Sequence, residues 1–212
     1  MRLRNVKNAA TIVENSKYVI NDPYSLKGNF KNVFEKDAPI HVEVGMGKGD
    51  FIIGNAIKYP NINFIGVEKY ESVMVRAIQK LETIDLPNLK LIRMDAIEID
   101  QVFFNEVETL YLNFSDPWPK TKHEKRRLTS PLFLEKYNTI FKLEPHIVQK
   151  TDNIGLFAYS LASLSKFGYT LNRVSLDLSN EDIPNVETEY EKKFMSLGVK
   201  INYLDAVKYQ EK

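Results

Sequence analysis

The sequence predicts a doubly wound α/β fold: a mostly parallel, seven-stranded sheet with helices on both faces and an antiparallel strand near the C-terminus. Three observations predict it. Short apolar runs alternate with helix-like stretches of roughly ten to fifteen residues, the pattern of successive right-handed crossovers. A glycine-rich turn closes the first apolar run. Two further strand-like runs, 169–176 and 200–204, follow closely after the alternation has ended, which hints at an antiparallel edge.

The elements follow in order. Residues 40–44 alternate Ile40, Val42 and Val44 and stop at Gly45, a strand entering a turn. Residues 50–59 set Phe51, Ile52, Ala56 and Ile57 at mostly helical spacing until Pro60 ends the run. Strands over 63–67, 89–92 and 109–114 flank a helix over 71–81. Ser130 as N-cap and Pro131 in the first turn open a helix over 131–141. A strand over 147–150 leads into a helix over 153–167 closed by Gly168, and a short helix separates the two last strands. The chain reads as one domain over 1–212, with a basic N-terminal extension over 1–38 and a core over 39–212.

Composition narrows the class. Twenty-nine Lys and Arg against 28 Asp and Glu leave a net charge of +1, so any affinity for nucleic acid must come from local clustering. No cysteine is present, which removes disulfides, thiolate metal sites and cysteine nucleophiles and suits a reducing cytoplasm. His41, His123 and His146 lie far apart and show no metal-ligand spacing, so no metal is expected. No run of apolar residues is long enough to span a membrane, and the first eighteen residues, with Arg2, Arg4 and Lys7, lack the apolar core of a signal peptide. A cytoplasmic location is expected.

Two loops at the carboxyl ends of strands hold the unusual residues, where open α/β sheets bind ligands. The first runs Glu43, Val44, Gly45, Met46, Gly47, Lys48, Gly49. Its glycines suit a backbone that approaches a ligand closely or takes positive φ, although a tight turn alone also needs glycine. Glu68, 23 residues after Gly45, ends the second strand, where a carboxylate can accept from a ribose diol. The NAD fingerprint wants a third glycine where Asp50 stands; Gly-x-Gly-x-Gly after an acid fits S-adenosylmethionine better. Glu43, Glu68 and Asp95 suit a cationic ligand without phosphates. Asp95, after the third strand, is placed to reach an adenine amine.

The second loop follows the fourth strand: Asn113, Phe114, Ser115, Asp116, Pro117, Trp118, Pro119, Lys120, then on to Arg127. Pro117 and Pro119 bias Asp116 and Trp118 toward extended geometry and stiffen the loop. Trp118 offers a face for an unpaired base, its alternative being a core residue. Between Lys120 and Arg127 five basic residues stand against Glu124 alone, a patch suited to a phosphate backbone or, on charge counting alone, to a solvated face.

The run from 111 to 128, Tyr-Leu-Asn-Phe-Ser-Asp-Pro-Trp-Pro-Lys-Thr-Lys-His-Glu-Lys-Arg-Arg-Leu, closely resembles the signature of bacterial tRNA (guanine-N7-)-methyltransferases. So do His41-Val42-Glu43-Val44-Gly45, Phe64-Ile65-Gly66-Val67-Glu68, Lys150-Thr151-Asp152-Asn153 and Thr188-Glu189-Tyr190-Glu191, so the likeness covers residues 40–203. The resemblance implies a class I, Rossmann-like methyltransferase that uses S-adenosylmethionine to methylate N7 of guanosine at nucleotide 46, in the variable loop of tRNA, with 39–212 as its catalytic core. It implies that Glu43, Glu68, Asp95 and Asp116 line the cofactor site beside Gly45, Gly47 and Gly49, with Asp116 also catalytic. It gives Lys120, Asp152, Thr188, Glu189, Tyr190 and Glu191 to the substrate. Lys122, His123, Glu124, Lys125, Arg126 and Arg127 go to RNA contact, with Trp118. Members occur as monomers or homodimers.

The chain departs from the pattern at its start, which lacks Lys-Pro-Trp-Ala, at residues 143–146, which carry no glycine, and at Met46, where a small residue is common. Two structural readings stand beside the substrate roles. Thr188 and Glu191 have the spacing of a capping box, and Asp152 is placed to cap the following helix. The five acids over 181–191 suit base edges or the basic loop better than phosphates. The alternatives in function are methylation of another RNA base, such as an adenine amino group, and RNA binding without catalysis.

Overall fold

The computed structural model describes residues 6–209. Seven strands, β1 (Ile40–Val44), β2 (Asn63–Glu68), β3 (Leu89–Arg93), β4 (Val107–Asn113), β5 (His146–Thr151), β6 (Thr170–Ser175) and β7 (Asn202–Val207), form one sheet in the order β3-β2-β1-β4-β5-β7-β6. The first five are mutually parallel; β7 runs antiparallel to both β5 and β6. The antiparallel strand therefore lies inside the sheet, and β6 is the edge.

Helices α1 (Ala9–Glu14), α2 (Asp50–Lys58), α3 (Glu71–Leu81), α4 (Ile99–Val102), α5 (Pro131–Tyr137), α6 (Ile154–Lys166) and α7 (Glu189–Ser196) accompany the strands. The period of two along each strand divides the core into two layers. Val42, Val44, Ile65, Val67, Leu110, Leu112 and Ile147 pack with Phe133, Leu134 and Phe157 of α5 and α6 on one face. Phe64, Leu89 and Leu91 pack with Ile52, Met74, Ala77 and Ile78 of α2 and α3 on the other.

Three elements differ from the sequence reading. The helix expected over 131–141 ends at Tyr137, because the Ile140 carbonyl accepts from the N–H groups of Glu106 and Val107 and Phe141 bridges Val107, which start β4 two residues early. β4 stops at Asn113, since Phe114 turns away with φ 50°. The last strand is shifted to Asn202–Val207, anchored where the Asn202 amide donates to the Thr151 carbonyl at 2.9 Å. The glycine-free turn over 143–146 holds no positive φ, so it needs no glycine.

The N-terminal segment is bound into the fold. Val19 bridges Leu91 at the sheet's edge, and the Tyr18 hydroxyl donates to the Ile84 carbonyl at 2.7 Å while accepting from the Leu86 N–H. The Glu106 carboxylate accepts from the N–H groups of Gly28 and Phe30, which seats Phe30 against Phe103. Arg2 and Arg4 lie outside the described residues. No helix among the described residues is long and apolar enough to cross a membrane.

Candidate active site

The first loop builds one wall of a cleft of about 290 Å³ at the carboxyl ends of β1 to β4, lined by Gly45, Glu68, Asp95, Ser115, Asp116 and Trp118 among others. Gly45, Gly47 and Gly49 all take left-handed φ, at 77°, 58° and 78°. Their neighbourhoods separate them. A Cβ on Gly45 or Gly47 would meet open space, whereas on Gly49 it would stand 2.8 Å from Ala77 Cβ. The first two leave room for a ligand; the third lets α3 pack. Met46 is buried between them, its sulfur filling the space that a side chain at Gly66 would need.

Glu68 accepts from the N–H groups of Gly47 (3.1 Å) and Tyr70 (2.9 Å), and burial raises its pKa against the pull of those N–H groups. Asp95 caps the turn Ala96–Glu98 in a capping box with Glu98 and accepts from Lys69 at 2.6 Å. Partial burial opposes its ionisation, but Lys69 and the Ile97 N–H hold its carboxyl below the ordinary range. Glu43 does not line the cleft. It is 2% exposed, one oxygen accepts from the Asn113 amide at 2.9 Å, and the other has no partner. Burial pushes its pKa up to about 7, with Asn113 and Lys150 acting in opposition.

The second loop is held by contacts in addition to its two prolines. Trp118 is not extended but left-handed, with φ 42°. The Arg127 guanidinium donates twice to the Trp118 carbonyl, at 3.1 and 3.3 Å, Arg126 lies 4.7 Å above the indole, and His123 meets it edge-on. These contacts override the extended preference of a residue before proline. Trp118 is half-buried on the cleft wall, Asp116 is exposed at its rim, and the Ser115 hydroxyl is buried without a partner.

Beyond Trp118 the chain forms a 3₁₀ helix, Thr121–Arg126. Lys120, Lys122 and Lys125 are exposed, and among the described residues neither they nor Arg126 and Arg127 pair with a carboxylate. The local acid, Glu124, accepts from the Tyr159 hydroxyl at 2.9 Å, and Arg127 stacks on the Tyr159 ring at 4.2 Å. By contrast Lys48, Lys69, Lys80, Lys136 and Lys150 each have an acidic partner.

The remaining candidates converge at the end of β5. Asp152 does not cap α6; Asn153 does, accepting from the Leu156 N–H at 2.8 Å. That leaves Asp152 to accept from the Tyr190 hydroxyl at 3.1 Å. Tyr190 stacks on Phe194 at 4.2 Å and packs against Phe114 at 4.9 Å. Thr188 and Glu191 form the capping box of α7. The acids of this segment do not meet the basic loop: Glu189 pairs with Lys48 of the glycine turn and Glu191 with Lys150. The sequence reading assigned Lys150 no role. Its signal was a lysine ending an apolar strand. His41 bonds Tyr111, and His146 bonds Thr109 and Asp205, so both tie neighbouring strands across the sheet.

A parallel sheet with one antiparallel strand set inside it, a glycine turn after β1 and acids after successive strands define a Rossmann-like methyltransferase. The 16S rRNA methyltransferase KamB superposes with a TM-score of 0.67 over 86% of this chain and 93% of its own, at 13% identity. A 16S rRNA (adenine(1408)-N(1))-methyltransferase from Catenulisporales acidiphilia, solved with its cosubstrate SAM, gives 0.60 over 86% and 89%, at 16% identity; both show the fold alone. Residues 37–204 match the family described as "Putative methyltransferase". The chain belongs to the tRNA (guanine-N7-)-methyltransferases. Members from Streptococcus uberis, Bacillus licheniformis and Lachnoclostridium phytofermentans are 51%, 49% and 44% identical, over 97%, 92% and 100% of this chain and 99%, 92% and 100% of theirs.

Proposed function

We propose that the protein transfers a methyl group from S-adenosylmethionine to N7 of guanosine at nucleotide 46 of tRNA, as a single catalytic domain. The observation that carries this is one juxtaposition: an acid-lined cleft shares Trp118 with a loop whose five cations have no acidic partner among the described residues.

The residues fit the cofactor. The space over Gly45 and Gly47 admits a ligand, and the unpartnered Ser115 hydroxyl on the cleft wall suits a polar group on it. Glu68 would hold the ribose diol and Asp95 the adenine end. S-adenosylmethionine supplies an electrophilic methyl group on a sulfonium. Guanine N7 carries a free lone pair, so no residue need remove a proton from it, and positioning supplies most of the acceleration. The methylated ring is cationic. Asp116, exposed at the rim, is placed to stabilise that charge, particularly by accepting from the guanine N1 and amino edge. Lys120, Asp152 and residues 188–191 border the acceptor side, and Lys122 to Arg127 would contact phosphates.

The test is methyl transfer from labelled S-adenosylmethionine to an unmodified tRNA transcript, followed by borohydride and aniline cleavage. Cleavage at the variable-loop guanosine, absent with Asp116→Ala, is expected. Label without such cleavage would move the target to another atom, and no label would leave an RNA-binding protein.

A further inference from the structure

Lys150 is a buried cation that methyl transfer does not use. Its side chain is 2% exposed and donates to three acceptors: Glu191 Oε2 at 2.6 Å, Asn185 Oδ1 at 2.9 Å and the Val186 carbonyl at 3.1 Å. The side chain of Glu191, 0% exposed, takes the Asn185 amide on its other oxygen at 2.7 Å. Every proton of the ammonium and both carboxylate oxygens are thus engaged. The ammonium also lies 4.8 Å from the Phe51 ring and 5.9 Å from that of Phe114.

Such a pair is poor value as a source of stability, since apolar residues of similar volume often do as well. Geometry is what it supplies. Residues 182–188 form neither helix nor strand, so their backbone does not hold itself in place. The segment is fastened by side chains. Lys150 gathers Asn185, Val186 and Glu191 onto the end of β5, and Gly54 admits Val186 against α2, where a Cβ would stand 2.5 Å from Val186 Cγ1. Two residues along the same strand and loop, Asp152 receives the Tyr190 hydroxyl, and Tyr190 rests on Phe114, beside Ser115 and Asp116.

We propose that Lys150 is a positioning residue of the methyl-acceptor site: by fixing Asn185, Val186 and Glu191, it sets Tyr190 against Asp152 and Phe114 and so shapes the seat of the target base. This rests on the assignment of Asp152 and residues 188–191 to the substrate side. It also gives Glu191 a different part from the one the family resemblance implies, because its carboxylate is consumed by the lock and holds the site without touching the base.

The test compares Lys150→Met, the apolar pair Lys150→Met with Glu191→Leu, and Asn185→Ala, all in the full chain. Thermal midpoint, S-adenosylmethionine affinity by calorimetry, and kcat and KM for a tRNA transcript are read for each. Lys150→Met strands a buried carboxylate and is expected to lower the midpoint. The apolar pair is expected to recover it, yet to keep a KM for tRNA raised about tenfold, with cofactor affinity within about twofold of wild type. An apolar pair that regains KM and kcat along with the midpoint overturns the proposal. Asn185→Ala, at a half-buried loop position, removes one acceptor from Lys150 and one donor to Glu191, and decides the matter if the apolar pair does not fold. A KM about threefold higher supports the positioning role, and an unchanged KM overturns it. A wild type that makes no N7-methylguanosine overturns the underlying function and this proposal together, whereas an active wild type with indifferent variants overturns this proposal alone.

Discussion

The acid-lined cleft and the Lys150 lock sit close together at the carboxyl ends of the strands, and they treat buried polar groups in opposite ways. On the cleft wall Ser115 Oγ is buried with no partner among the described residues, and in the adjoining loop Lys120, Lys122, Lys125, Arg126 and Arg127 pair with no carboxylate among them. In the lock, every donor of Lys150 and both oxygens of Glu191 are used. An unsatisfied buried group costs stability, on the order of 1–3 kcal/mol each. The cleft wall leaves such a group open, whereas the neighbouring network closes each of its own. The difference separates side chains left open at a cleft from side chains that hold other residues, although sequence motifs contain both.

The comparison can be broken experimentally. The largest effect is expected from Asp116→Asn, which keeps shape and removes charge: kcat should fall about a hundredfold or more, with tRNA affinity and thermal midpoint nearly unchanged. Equal losses of turnover and binding would deny Asp116 its open, charge-stabilising part. Next is Glu43→Gln, which removes a buried carboxylate with one unpartnered oxygen and should raise the thermal midpoint at pH 8. Because burial raises the folded-state pKa of Glu43 from its ordinary 4.5 to about 7, the folded chain holds the extra proton between those values, and stability contributed by this group declines as pH rises through them. Midpoints measured from pH 5 to pH 8 should show that slope in wild type and a shallower one in Glu43→Gln.

Thr188→Ala belongs to the closed set. Loss of the cap that accepts from the Glu191 N–H at 2.9 Å should cost about 1 kcal/mol in denaturant unfolding. Smallest is Lys122→Ala, an exposed cation without an acidic partner among the described residues, which should leave stability alone and reduce the slope of log affinity for tRNA against log salt by about 0.7. A slope that does not move would place Lys122 away from the phosphates.

The fold was largely legible because its signals are local. Alternating Ile40, Val42 and Val44, the stop at Gly45 and the Pro131 helix start each act within a few residues. What escaped depends on partners far along the chain. Phe141 leaves its expected helix to bridge Val107, and Trp118 takes positive φ because Arg126 and Arg127 fold back over it, against the local preference set by Pro119. In the site, Glu68 and Asp116 could be placed from strand ends alone. The employment of Glu191 could not be read from Thr188-Glu189-Tyr190-Glu191, since its partner lies 41 residues away. Asp152 was equally ambiguous until Asn153 proved to be the cap.

The place of β7 has a consequence for the order in which the protein can assemble during synthesis. Among the described residues β6 pairs with β7 alone, yet residues 202–207 are synthesised after it. The five parallel strands can zip together as they emerge, with the glycine turn and its acids in place. β6 joins the sheet through β7, so its place beside the parallel strands depends on the strand made after it. A nascent chain would therefore have the parallel part of the sheet, with its glycine turn, in hand before the antiparallel edge could be completed.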